Sequence, residues 1–143
     1  MKIDNIIVSG WPVSGGTTMA LASAVHLDFH YVYAGEVFKT FSSQIFGESG
    51  KAIVQFENTF GEQWDYIWEK YAEYKIRNEK NIVLEGKTAG FLYDDEHIFS
   101  VMFVATFEER VRRTTTDSRT DGAERVRGRD AALAERWKRL FGI

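Results

Sequence analysis

Apolar residues follow two kinds of pattern along the chain: short continuous runs, and longer stretches with helical spacing. Three runs, at 5–9, 81–85 and 98–105, are near-continuous and rich in β-branched or aromatic residues, as is typical of parallel strands buried on both faces. A weaker strand is predicted at 29–32. Because helical patterns separate the runs, the sequence predicts an α/β fold, a three-layer parallel β-sheet flanked by helices.

The stretches between and after the strands predict five helices, at 17–25, 36–45, 63–78, 106–115 and 123–141. In the third helix aromatic residues recur at helical spacing, and we interpret this stripe as core packing, with base stacking as the alternative. The stripe consists of Trp64, Ile67, Trp68, Tyr71 and Tyr74. Segment 46–61 is polar, contains glycine and has no clear period, which predicts a mobile connection.

The bulk composition is that of one globular domain spanning 1–143, with 143 residues, 44% of them hydrophobic and 15% aromatic. No apolar run is long enough to cross a membrane, and the N-terminus lacks the features of a secretion signal, so we expect a cytoplasmic location. The chain has no cysteine, and His26, His30 and His97 have no ligand spacing, so these residues predict no metal site.

The net charge of −3 hides an uneven distribution, because nine of the ten arginines lie after residue 100. Arginine is suited to bidentate recognition of phosphate, so this region is predicted to hold an anion, with a solvated, salt-bridged helix face as the alternative. Arg125, Arg129 and Arg136 share one face of the last predicted helix. Acidic residues alternate with these arginines and no aromatic residues separate them, which disfavours nucleic-acid binding.

The segment GWPVSGGTTMA, residues 10–20, joins the first strand to the first helix. Gly10, Gly15 and Thr17 match the phosphate-loop pattern GxxxxGK[ST], but Gly16 replaces the lysine. Backbone amides at the start of a helix still bind phosphate, and the Thr17 hydroxyl is suited to bind magnesium. We therefore expect the substitution to slow phosphoryl transfer, by roughly 10²- to 10³-fold, more than it weakens binding. The alternative is a flexible glycine turn.

Several segments together resemble the archaeal type of cytidylate kinase, a nucleoside monophosphate kinase of the P-loop superfamily. They are GWPVSGGTTMA, YAGEVFK (33–39), IVLEGKTAGFL (82–92), ATFEERVRR (105–113) and RDAALAERWKRLFGI (129–143). They occur in the same order and at similar spacing over nearly the whole chain. The first segment is then a degenerate Walker A motif that lacks its lysine.

The resemblance implies that ATP with Mg²⁺ binds the first loop and that a monophosphate acceptor binds segment 33–62, beneath an arginine-rich lid at about 110–136. The implied ATP site comprises Gly10, Ser14, Gly15, Gly16, Thr17 and Thr18, with Thr17 on the metal. The implied acceptor site comprises Gly35, Glu36, Lys39, Glu85, Gly86 and Lys87. The implied catalytic cations are Lys87, Arg110, Arg113, Arg129 and Arg136. From the residues alone, Lys87 could be an ordinary exposed lysine, and Glu36 and Glu85 could have local structural roles.

The chain departs from the family pattern at several positions. Lys39 and Lys87 stand where the family has arginine, and the lid carries Asp117 followed by Arg119 where the family has an arginine–acid pair. The resemblance implies a five-stranded parallel core. The family's last strand and terminal helix have no counterpart, so we expect either a truncated chain or a four-stranded sheet with an exposed edge, in a monomer or homodimer. We expect transfer of the ATP γ-phosphoryl group to CMP or dCMP. The alternative is a nucleotide-binding pseudokinase or structural homologue, because Gly16 replaces the loop lysine.

Overall fold

The computed structural model describes residues 3–47, 52–87, 93, 95–116 and 122–142. Four parallel strands form one sheet in the order β2-β3-β1-β4. The strands are β1 (Asn5–Gly10), β2 (His30–Tyr33), β3 (Ile82–Glu85) and β4 (Ile98–Phe103). The helices are α1 (Gly16–Leu27), α2 (Ala34–Phe46), α3 (Ala52–Asn78), α4 (Phe107–Thr116) and α5 (Gly122–Phe141). The predicted fold class is confirmed. Asp117 and Arg119 lie outside the described residues.

The core lies on both faces of the central strands, because alternate side chains of a strand point to opposite faces. On one face, Ile7 and Leu84 pack with the aromatic residues of α3. On the other face, Val8 and Val83 pack against Ala20 and the rest of α1. The sheet is therefore the middle of three layers. No described helix is long and apolar enough to cross a membrane.

Helix α3 begins at Ala52, so the prediction of a mobile connection up to residue 61 is wrong. The cause is an aromatic cluster in which Phe56 contacts Phe38 and Phe46 of α2, with ring centroids 5.0 and 6.4 Å apart. Gly61 lies within the helix, where an added Cβ would meet no atom within 4 Å. Burial of aromatic rings at helical spacing therefore outweighs the polar, glycine-containing composition of this stretch.

Strand β4 is an edge strand, and the prediction that it is buried on both faces is also wrong. Phe99 and Met102 are 52% and 38% exposed. Among the described elements β4 pairs with β1 alone. The four-stranded sheet therefore has the exposed edge that was one of the two expectations.

Candidate active site

A cleft of about 820 Å³ opens at the carboxyl ends of β1 and β3. In open parallel sheets this is the edge at which ligands bind. Of the residues predicted for the site, those that line the cleft are Gly10, Ser14, Gly15, Gly16, Thr17, Thr18, Gly35, Glu85, Gly86, Lys87, Arg113, Arg129 and Arg136. Arg110 is buried outside this lining, while Glu36 and Lys39 are exposed on α2. The roles of all these residues stay predictions.

The loop between β1 and α1 requires glycine at two of its three glycine positions. A Cβ at Gly10 would come within 2.7 Å of the Phe103 carbonyl oxygen and of Ser14 Oγ. Gly15 has a left-handed backbone, with φ 100°. In contrast, a Cβ at Gly16 would make ordinary contacts, 3.8 Å from Val8 Cγ1, and its φ is not left-handed. The absence of lysine at position 16 is therefore not imposed by the backbone.

Arg113 places a guanidinium group against this loop. Its Nη1 donates hydrogen bonds to the carbonyl oxygens of Ser14, at 2.8 Å, and Val13, at 3.3 Å. Its Nε donates to Glu109 at 2.8 Å. Hydrogen bonds from Arg112 and then Arg113 lower the pKa of Glu109 to about 2, so this carboxylate stays ionised and keeps the arginine oriented. A cation from α4 thus lies beside the loop that lacks its own.

Arg110 joins three elements beneath the cleft. Its guanidinium group makes two hydrogen bonds to Asp130 of α5, at 2.6 and 2.8 Å. It also donates to the Pro12 carbonyl oxygen at 3.3 Å and lies 5.8 Å from the ring centroid of Trp11. The sequence reasoning missed Asp130, although it is adjacent to Arg129 in the segment that carries the resemblance. Arg110 therefore connects α4 and α5 to the loop.

The first residues of α1 meet the end of β3 through one carboxylate. Thr17 Oγ1 donates to Glu85 Oε1 at 2.6 Å, and the Tyr31 hydroxyl donates to Glu85 Oε2. Burial, and then the hydrogen bond to Glu85, raise the pKa of Tyr31, which therefore stays protonated as a donor. Glu85 was predicted to bind the acceptor, but the structure places it beside the threonine predicted to bind metal.

The end of β2 and the start of α2 line the cleft through Tyr33 and Gly35. A Cβ at Gly35 would come within 2.5 Å of the Tyr33 ring, so a side chain at this position would displace that ring. Burial, and then the charge of Glu85, raise the pKa of Tyr33, and the charge of Arg129 opposes this rise. Arg129 therefore places positive charge near the Tyr33 hydroxyl on this side of the cleft.

Helix α5 closes the cleft through contacts that the sequence reasoning did not find. Buried Asp65 on α3 accepts from Arg136 Nε at 2.9 Å and from Arg139 Nη2 at 2.5 Å. Trp137 Nε1 donates to the Lys87 carbonyl oxygen at 2.9 Å. The Trp137 ring also contacts Trp11 of the loop edge-to-face, with centroids 5.1 Å apart. One helix thus contacts α3, the end of β3 and the loop.

The parallel sheet, the glycine loop between β1 and α1, and the cleft at the strand ends define a P-loop kinase-like fold. The same fold occurs in shikimate kinase from Acinetobacter baumannii, solved in complex with shikimate, with a TM-score of 0.60 over 96% of this chain and 78% of that one, at 16% identity. It also occurs in shikimate kinase from Bacteroides thetaiotaomicron, with a TM-score of 0.54 over 97% and 81%, at 18% identity.

In sequence, the chain is similar to archaeal cytidylate kinases over nearly its whole length. It is 26% identical to the cytidylate kinase of Methanopyrus kandleri and 29% identical to that of Pyrococcus furiosus. Each alignment covers 96% of this chain, with 76% of the first relative and 71% of the second. No profile of a known protein family matches the chain. The resemblance stated from the sequence is confirmed.

Proposed function

We propose that this protein is a nucleoside monophosphate kinase that transfers the γ-phosphoryl group of ATP to a pyrimidine monophosphate, CMP or dCMP. One observation carries the proposal. The glycine loop and arginines from two helices, Arg113 of α4 with Arg129 and Arg136 of α5, line the same cleft. Phosphoryl transfer depends almost entirely on positioning and on neutralising charge, which is what such a cleft supplies. The similarity to cytidylate kinases supports the choice of acceptor.

The donor side of the cleft fits a polyphosphate and its metal. Ser14 Oγ is buried and has no hydrogen-bond partner among the described residues, so it is available to a ligand at the loop. The amides of Gly16 and Thr17 lie at the N-terminus of α1, which is the positive end of its dipole. Thr17 and Glu85 would hold Mg²⁺, which when bound neutralises charge on the phosphate oxygens.

The acceptor side would be formed by the ends of β2 and β3. Gly35, Gly86 and Lys87 line the cleft there, and we assign the acceptor phosphate to Lys87 together with Arg129. Glu36 and Lys39 lie on the exposed surface of α2 and would reach the acceptor only if α2 moved on binding. Arg113 and Arg136 would neutralise the charge on the transferring group, and Arg110 would hold the lid against the loop.

The alternative function is nucleotide binding without useful turnover. Gly16 favours it, because a glycine adds no charge at the loop position where phosphate-loop enzymes carry lysine. Arg113 favours the kinase, since its guanidinium already contacts the loop at Ser14 and Val13. Both the kinase and the nucleotide-binding alternative require ATP binding, but only the kinase requires turnover.

Two measurements test the proposal. Calorimetry measures MgATP binding, and a coupled assay measures ADP release with each nucleoside monophosphate. Arg129→Ala should lower kcat/KM for CMP by about 10²-fold. Arg127→Ala is the matched control, because Arg127 lies on the same helix and stacks on Phe107 outside the cleft lining. MgATP binding without turnover would favour the pseudokinase, and absence of MgATP binding would refute both functions.

A further inference from the structure

Two buried polar atoms on α3 have no hydrogen-bond partner among the described residues. They are Trp68 Nε1 and Glu69 Oε2, which lack a hydrogen bond to any of the described residues. Trp68 is only 5% exposed, and both residues line the cleft. Burial of an unpaired polar group is costly, so two such groups on residues that line one cleft indicate a ligand that pairs with them.

Gly86, which follows the end of β3, leaves room beside the tryptophan. A Cβ at this position would lie 3.2 Å from Trp68 Nε1, closer than an ordinary contact. The glycine therefore keeps the indole N–H uncrowded on the side of the cleft. An indole N–H can only donate, so this atom requires an acceptor on the ligand.

The surroundings of Glu69 control its protonation. Asp65 faces it from the preceding turn of α3, Arg136 from α5, and Tyr93 from the segment after β3. Burial and then the charge of Asp65 raise the pKa of Glu69 to about 7, while Arg136 opposes the rise. Near neutral pH a large fraction of this carboxyl is therefore protonated, and it donates as well as accepts hydrogen bonds.

This end of the cleft is unsuited to phosphate, because the carboxylate form of Glu69 repels it. It suits an uncharged planar group instead, since Phe38 and Trp64 line the same region with aromatic surface. A nucleobase has the matching chemistry, with ring or carbonyl acceptors next to N–H donors. Arg113, Arg129 and the loop then remain for the phosphates.

Building on the proposed function, we propose that Trp68 and Glu69 bind the hydrogen-bonding edge of the acceptor base and so determine the contribution of the base to acceptor affinity. The indole N–H donates to an acceptor on the base. The Glu69 carboxyl accepts from a base N–H and, when protonated, donates to the neighbouring acceptor. The aromatic stripe on α3, interpreted from the sequence as core packing, then also presents one polar atom to the ligand.

The test compares Glu69→Ala and Glu69→Gln with Glu73→Gln, a control one turn further along α3 whose half-exposed carboxylate pairs with Lys70 and Arg77. Calorimetry with CMP and UMP, and competition by ribose 5-phosphate, separate the base from the sugar phosphate. Glu69→Ala should weaken the binding of at least CMP by about tenfold to a hundredfold while ribose 5-phosphate and MgATP bind as before. Glu69→Gln keeps an acceptor and a donor, so most of the CMP affinity should return.

Thermal unfolding distinguishes base binding from a structural role. Removal of a carboxyl whose buried Oε2 has no hydrogen-bond partner among the described residues should leave the Tm of Glu69→Ala unchanged or higher, whereas loss of a structural residue would lower it. Unchanged CMP binding, or equal losses for CMP and ribose 5-phosphate, would overturn the inference and leave the proposed function standing. If the unsubstituted protein binds no nucleoside monophosphate, both fail.

Discussion

Restoring the missing charge at position 16 is the most direct test of how the loop works. The backbone permits Gly16→Lys, because a Cβ there would lie 3.8 Å from Val8 Cγ1 and 4.0 Å from the Ser9 carbonyl oxygen, and φ is not left-handed. One well-placed donor to a developing charge is worth roughly 3 to 4 kcal/mol, or 10²- to 10³-fold in kcat. We therefore expect Gly16→Lys to raise kcat by this factor and to change the Kd for MgATP far less.

Two further substitutions separate the charge from the backbone effect. Gly16→Ala removes the flexibility of a glycine at the start of α1, which should stabilise the fold by about 0.5 to 1 kcal/mol without raising kcat. Gly16→Met adds a side chain of similar length without charge. The coupled assay should show the gain only for lysine. An equal gain with methionine would show that the reasoning about charge is wrong.

Arg113 determines how large the gain can be. If its guanidinium already supplies charge at the loop, Gly16→Lys should raise kcat more in an Arg113→Ala background than in the unsubstituted protein. Identical factors in the two backgrounds would mean that the two cations act independently, and that the hydrogen bonds to Ser14 and Val13 only hold the loop in place.

Three further outcomes follow from contacts around the cleft. Asp130→Ala leaves the buried guanidinium of Arg110 without its carboxylate and should lower the free energy of unfolding by about 3 to 5 kcal/mol in urea titrations, whereas a loss below 1 kcal/mol would contradict a buried ion pair. The pKa of Glu69 is raised to about 7 in the folded state, so ionisation of this carboxyl lowers the free energy of unfolding as pH rises from about 4.5 to 7. Glu69→Gln should remove this part of the pH dependence of Tm. If Tm changes with pH in the same way in both proteins, the raised pKa is refuted. Thr17→Val should weaken MgATP binding about tenfold but leave metal-free ATP binding unchanged, and Thr17→Ser should restore MgATP binding because serine keeps the hydroxyl. Equal losses with and without Mg²⁺ would argue against metal binding at Thr17.

The local patterns in the sequence predicted the sheet and most helices correctly. Continuous apolar runs located β1, β3 and β4, and each described helix overlaps a predicted one, although α3 begins well before the predicted start at residue 63. The start of α3 was missed because its stability comes from Phe56 packing on α2, which local composition does not reveal. The exposed face of β4 was missed because the apolar run alone does not indicate which strand lies at the edge of the sheet.

The site was predictable where a motif is continuous in sequence and unpredictable where a contact joins distant segments. The loop residues and Arg113 line one cleft as expected. Asp65 was not found, because its partner Arg136 lies on another helix and no local spacing connects them. Glu69 gave no signal either, since its unusual environment arises only when α3 packs against the cleft.

The edge-to-face pair of Trp11 and Trp137 provides an intrinsic spectroscopic probe of this protein. One indole belongs to the loop and the other to the helix over the cleft, so any separation of these two elements changes the coupling between the chromophores. Near-ultraviolet circular dichroism and intrinsic fluorescence would then follow the approach of α5 to the loop in stopped-flow experiments without an added dye.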